Sequence, residues 1–171
     1  MENADTSITF DNLADRLVDA IPELKPAYAD ELRRWRGEKP GAYNIFDSVV
    51  APYIPSLCET GGREEDLRRL FTFLEILAKH PDEEVQGVVS ISVLEWLYGW
   101  YPNLLPLLIQ FMGPATQQML ADVLAEPEAI DEQVVRESLL RALDAEPSLK
   151  ERLRSSALFM EQYGHLLPGD G

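Results

Sequence analysis

Histidine and cysteine are almost missing from this chain: His80, His165 and Cys58 are all that 171 residues contain. A single cysteine excludes an internal disulfide. Its setting, YIPSLCET, reads as a small core position on a helix, with neither histidine near it in sequence to activate a thiol. A metal site would require His80 and His165, which stand in opposite halves of the chain, to converge with carboxylates. Each instead stands beside a helix end, where imidazole meets free carbonyls. There is no CxxC, HExxH, GxGxxG, GxxxxGK[ST] or GxSxG pattern. The expectation is therefore a protein with no cofactor, no metal and no enzymatic activity. Long apolar runs are also missing. Stretches such as Leu104–Met112 are too short and too interrupted by proline to span a bilayer. The start, MENADTSITF, has no basic segment leading into an apolar one, so the expected compartment is the cytoplasm.

Basic residues are scarce, and unevenly so. Fifteen lysines and arginines face 30 acids, a net charge of −15. A polyanion of this size repels phosphate backbones and anionic lipid, so nucleic acid and membrane surfaces are not the expected partners. From His80 through Val135 there is no lysine or arginine at all. The same run holds nine acids: Asp82, Glu83, Glu84, Glu95, Asp122, Glu126, Glu128, Asp131 and Glu132. Acids at helix starts complement the macrodipole, which accounts for those after Pro81 and Pro127. It does not account for the lack of compensating bases. An uncompensated acidic face attracts a basic protein partner. Beside it, Trp96, Tyr98, Trp100 and Tyr101 crowd a helix end. Trp96 reads as a core plug, whereas Trp100 and Tyr101, in the turn, are candidate interface anchors. The candidate partner-binding residues are thus Asp82, Glu83, Glu84, Glu95, Trp100, Tyr101, Asp122 and Glu126.

What remains is rich in helical signals, and 46% of the residues are apolar, enough for one domain over residues 1–171. Apolar positions recur at helical spacing from Phe10 through Leu13, Leu17 and Ile21. Pro22 opens a second helix with Tyr28, Leu32 and Trp35 as its inner stripe. Arg33, Arg34, Arg36 and Lys39 form the one basic patch there. Residues 43–57 repeat the stripe, with Pro52 and Pro55 predicting a kink or two short helices. Leu67–Ala78 follows the i, i+3, i+4, i+7 rule closely. His80–Pro81 ends that helix, and an apolar helix follows from Val85 to Leu97. Pro106, Gly113–Pro114, Pro127 and Pro147 mark further starts. The fold class is all-α, about 8–9 helices, as stacked antiparallel hairpins of HEAT type or an irregular bundle. Two segments, Phe73–Leu77 (FLEIL) and Val93–Leu97 (VLEWL), match in pattern on successive helices. Their glutamates, Glu75 and Glu95, are the candidate buried acids. They read either as a general acid–base pair or as structural groups bonded to a helix end, an arginine or a tyrosine.

The combination of FxFLExLA, a short acidic break, VxSxxVLExL and FMGPATxxM resembles an uncharacterised family of small helical bacterial proteins. That family is associated with accessory and immunity genes beside secreted polymorphic toxins. The likeness covers roughly Leu13 to Leu124, giving a family-like core over 8–126 and an added helical hairpin over 127–167. It carries no catalytic residues. It implies a cognate toxin or another bacterial partner; together with the acidic face, this gives the expectation of an immunity-type inhibitor that occludes a basic, nuclease-type toxin domain. The alternative is a non-enzymatic adaptor whose surface holds a peptide or partner subunit.

Overall fold

The computed structural model describes residues 8–125 and 131–169. The polar start up to Ser7, the Pro127 helix start, and Glu126 and Glu128 lie outside these residues. Among those described there are ten helices and no strand, and nine of the helices have seven residues or more. They are α1 (Leu13–Ala20), α2 (22–34), α3 (42–60), α4 (Glu64–Ala78), α5 (83–100), α6 (105–111), α7 (Pro114–Leu124), α8 (Glu132–Ala145), α9 (Leu149–Arg154) and α10 (157–166). None is long and apolar enough to cross a membrane.

Prolines set several of these boundaries. Pro22, Pro106 and Pro114 each occupy the first turn of a helix, where the missing N–H has no partner to lose. Paired glycines with positive φ, Gly61 and Gly62, stop α3. Pro52 and Pro55 do not divide the chain into two short helices: α3 runs on through both. A wide turn of i→i+5 type over Phe46–Val50 precedes them. Widening the spiral there eases the clash between the Pro52 ring and the carbonyl one turn back, so the helix need not end. Near the C-terminus, the helix expected from Pro147 onward is two, α9 and α10. Ser156 divides them, its Oγ accepting the Phe159 N–H at 3.2 Å as an N-cap.

The core centres on α4 and α5. Leu70, Phe71, Leu74 and Leu77 of α4 and Val85, Val88, Val89, Val93, Leu94 and Leu97 of α5 are fully buried. α5 is also wound wide, over Val88–Glu95, and this stretch packs on the wide turn of α3. Polar groups stitch the seam. Ser92, 1% exposed, donates from Oγ to the Tyr43 carbonyl at 3.3 Å, and the Tyr43 ring passes over Gly87. α7 lies across both central helices, and α9 packs against the Ile109–Phe111 end of α6. Buried residues of α8–α10, among them Leu139, Leu153 and Phe159, join the same continuous core.

The expected inner stripe of α2 is only partly inside: Tyr28 is half-buried against the core and Leu32 is half-buried, but the third member turns out. Trp35 is 37% exposed, while Glu31 is 8% exposed. The indole Nε1 donates to Glu31 Oε1 at 3.1 Å, and Arg34 reaches its other oxygen at 3.3 Å. The ring folds over a carboxylate at the molecule's edge, satisfying an acid that would otherwise be buried alone.

Candidate interaction surface

The two candidate buried acids have opposite fates. Glu75, on α4, is covered by the start of α7. Its Oε1 accepts the Ala115 N–H at 2.8 Å, and its Oε2 accepts the Thr116 N–H at 2.9 Å and the Thr116 hydroxyl at 2.6 Å. Lys79 Nζ stands 3.6 Å from Oε1. The N-cap of α7 is Gly113, which has no side chain to offer, so Glu75 caps that helix from outside. Burial pushes the Glu75 carboxyl up. The Thr116 hydroxyl, the two backbone N–H groups and Lys79 outweigh it and hold the carboxyl below its ordinary value. Glu95, by contrast, is exposed, contrary to the expectation of a buried acid. The wide winding of Val88–Glu95 departs from the 3.6-residue period assumed for its helix, and it turns Ile91 and Glu95 outward together. The FLEIL and VLEWL segments therefore do not occupy equivalent environments, and their matching pattern does not carry into space as a repeat.

The tight fit around Glu75 makes a prediction. A Cβ on Gly113 would collide with Glu75 Cδ, and the carboxylate cannot retreat without breaking its bonds. Gly113→Ala is expected to cost about 2 kcal/mol in urea unfolding. In a double-mutant cycle with Glu75→Gln the two costs should fall well short of additive.

The acids of the base-free run lie on several elements. Asp82 caps α5, its Oδ1 accepting the Glu84 N–H at 2.9 Å, and Glu83 and Glu84 occupy the exposed first turn. Glu95 lies about 18 Å further along the same helix at roughly 1.5 Å per residue. Asp122 is exposed near the end of α7, which packs along the Val88–Glu95 stretch. Asp131 caps α8 through Gln133, and Glu132 meets His165 Nε2 at 3.2 Å. Asp82, Glu83 and Glu84 thus share one turn. Glu95 stands apart from them by more than the screening length of roughly 8–10 Å at physiological salt.

Their shared property is the absence of lysine and arginine partners. Among the described residues no lysine or arginine pairs with Asp82, Glu83, Glu84, Glu95, Asp122, Asp131 or Glu132. Arginines pair elsewhere, with Asp30, Glu31, Glu64, Asp66, Glu23 and Glu146. Lys39 of the α2 patch pairs with Asp15 at 3.8 Å.

The aromatic turn divides as well. Trp100 is 73% exposed, the most exposed of the large apolar side chains. Tyr101 is half-buried and stacks on Trp96, ring centres 5.6 Å apart. Ile91, 51% exposed, adds a second apolar group on α5. Sequence reasoning did not single out Ile91. The only signal for it was its position one helical turn before Glu95.

Residues 14–125 match the family model for DUF7674, a domain of unknown function. The chain belongs to the DUF7674 family. No curated protein and no solved structure matches it. The DUF7674 segment contains α4, α5 and α7, and so both halves of the Glu75–Thr116 lock and the exposed side of α5. Asp131, Glu132 and α8–α10 fall outside it.

The remaining chemistry-bearing side chains have structural partners. His80 bridges, its Nε2 3.0 Å from the Ile8 carbonyl and its Nδ1 accepting the Asp82 N–H at 3.1 Å. The ring thus ties the start of the described chain to the break between α4 and α5. Cys58 is half-buried, and burial, with Glu59 adding to it, raises its thiol to about 11. A thiol so raised carries almost no thiolate at neutral pH. Among the described residues no group of three or more His, Cys, Asp or Glu is placed to hold a metal.

Proposed function

We propose that this DUF7674 protein is a non-enzymatic inhibitor of immunity type, which binds and occludes a basic protein domain such as a nuclease-type toxin. The observation that carries the reading is the set of acids with no lysine or arginine partner, in a chain where arginines elsewhere pair with acids. These charges are available to a partner, and a cationic surface is the chemistry that complements them. Ile91 and Trp100 supply apolar contacts on the same helix as Glu95, the kind of anchor that acidic steering alone lacks. The likeness to proteins encoded beside polymorphic toxins points to the same class of partner. In this reading the compartment is the cytoplasm, where an immunity protein meets its toxin.

The test is affinity capture of the tagged, full-length chain from its own host, followed by mass spectrometry and reconstitution. A basic partner whose activity is lost on binding supports the proposal. An acidic or neutral partner as the main species, or a basic one whose activity persists in the complex, overturns it. The runner-up, an adaptor for a peptide or subunit, is favoured by the exposed Ile91 and Trp100 alone. It predicts binding that survives loss of Asp82, Glu83 and Glu84.

A further inference from the structure

A different feature lies away from the acids of the base-free run. Where α8–α10 meet α4 and α6, two cavities of about 350 Å³ each adjoin, with Gln110 and Phe111 in the walls of both. One is polar: Arg68, Arg152, Ser155 and Ser156 border it. The other is largely apolar, with Leu57, Leu67, Leu107, Leu108 and Leu149 in its walls and Arg63, Glu64 and Glu146 among them. Arg68 lies over the Phe111 ring at 5.7 Å, at the junction between the two.

Arg152 borders the polar cavity while paired with two acids. Arg152 Nη2 is 2.8 Å from Glu146 Oε1 and 3.8 Å from Glu64 Oε1, contacts of charge without hydrogen-bond alignment. Its Nε and Nη2, both shielded from solvent, make no hydrogen bond. An arriving oxyanion would compete with Glu146 and Glu64 for this guanidinium. Ser156 Oγ accepts the Phe159 N–H and keeps its own proton to donate. Arg68 is drawn to the same place, its Nη2 3.1 Å from Glu64 Oε2 while Arg152 faces Oε1. In a chain of net charge −15, two arginines that share Glu64, and pair also with Glu65 and Glu146, stand beside a largely apolar cavity.

We propose that this seam binds a small organic anion of acyl type. Its carboxylate would sit on Arg152, Arg68 and Ser156, and its aliphatic chain would lie over Leu67, Leu107 and Leu149. The combined space suits a chain of medium length, and charge and apolar surface fall on the sides that such a molecule requires. Phe111 is the residue about which it bends. The site draws on both the DUF7674 segment (Arg68, Phe111) and the helices beyond it (Leu149, Arg152, Ser156). It is independent of the acidic surface.

The experiment is an amide NMR titration of the full chain with octanoate, alongside acetate and octylammonium. The expected result is saturable shifts at Phe111, Leu149, Ser155 and Ser156, with those at Glu83 and Glu84 unmoved. Octanoate should bind far more tightly than acetate, by up to roughly four-fold per methylene buried, and octylammonium should not produce these shifts. Arg152→Gln should weaken octanoate at least ten-fold, and Arg68→Gln, at a half-exposed side chain, should weaken it in the same direction. Absence of saturable shifts at the seam overturns the proposal. So does octylammonium binding there as tightly, or octanoate affinity unchanged in a folded Arg152→Gln variant. Should that variant not fold, the three probes on the unaltered chain still decide the matter.

Discussion

Glu75→Ala is expected to destabilise the protein by about 3 kcal/mol, which lowers the thermal midpoint by roughly 6–12 °C for a chain of this size. The magnitude follows from what the carboxylate leaves behind. The N–H groups of Ala115 and Thr116 and the Thr116 hydroxyl lose their acceptor together, and Thr116 is fully buried. A helix-cap loss alone costs about 1 kcal/mol. Here the acceptor is charged and water has no easy access to replace it, which moves the expectation upward. Glu75→Gln retains one acceptor oxygen and should cost less. The pH dependence distinguishes the two contributions. Because the folded-state value is depressed, stability from Glu75 is fully present above its ordinary value of 4.5 and is lost as pH falls through the lower folded value. Urea midpoints of the unaltered chain should therefore drop on acidification below about pH 4.5, and the Glu75→Gln variant should show a shallower drop across that window. Equal slopes for the two would mean that the carboxylate's charge contributes nothing to the cap.

The second large effect concerns association. Reversal of Asp82, Glu83 and Glu84 to lysine should slow association with the captured basic partner by about ten-fold or more at low ionic strength. The difference should shrink towards high salt, because charges on an exposed helix turn are screened over roughly 8–10 Å. Asp82 also caps α5, so the Glu83→Lys/Glu84→Lys pair, which leaves that hydrogen bond intact, serves as the cleaner variant. Trp100→Ala should act on the other rate. Truncating an anchor of this kind costs about 2 kcal/mol, or roughly a thirty-fold faster dissociation, with little change in association. Stopped-flow and surface-binding kinetics on the same variants separate the two. If both variants altered dissociation alone, the acids would be contact residues without a steering role.

The extent to which the sequence disclosed this molecule varies with the range of the forces involved. Helix starts at Pro22, Pro106 and Pro114 were readable because a proline's effect is local: its fixed φ and missing N–H act within one turn. The continuity of α3 through Pro52 and Pro55 was not. It depends on a wide turn that forms against the matching wide stretch of α5, and nothing in either segment alone specifies i→i+5 bonding. The same winding explains why Glu75 and Glu95, identical in local pattern, end in a half-buried cap and in solvent. A sequence clue to the cap did exist. Gly113–Pro114 opens a helix with no side chain able to receive its first N–H groups, so an acceptor had to come from elsewhere, and FLE on the preceding long helix offered one. Trp35 misled for a different reason: a stripe of helical spacing on a peripheral helix can close over a carboxylate as readily as over a core. The lack of lysine or arginine partners for Asp82, Glu83, Glu84, Glu95 and Asp122 was partly legible from composition, because the base-free run from His80 through Val135 leaves nearby only Lys79, which pairs with Glu75, and Arg136 beyond its far end. Of the more distant bases, Arg33, Arg34, Arg68, Arg69 and Arg152 are committed to other acids. The seam around Arg152 had no such signal, since it joins residues from α4, α6 and α9 that only folding brings together.

The most direct measurement is the association rate of the unaltered chain with its captured partner across a salt series from about 20 to 300 mM. Carboxylates without lysine or arginine partners meeting a cationic surface predict a steep fall, about ten-fold or more over that range, with dissociation changing far less. A rate that stays flat across the series contradicts steering by the acidic surface.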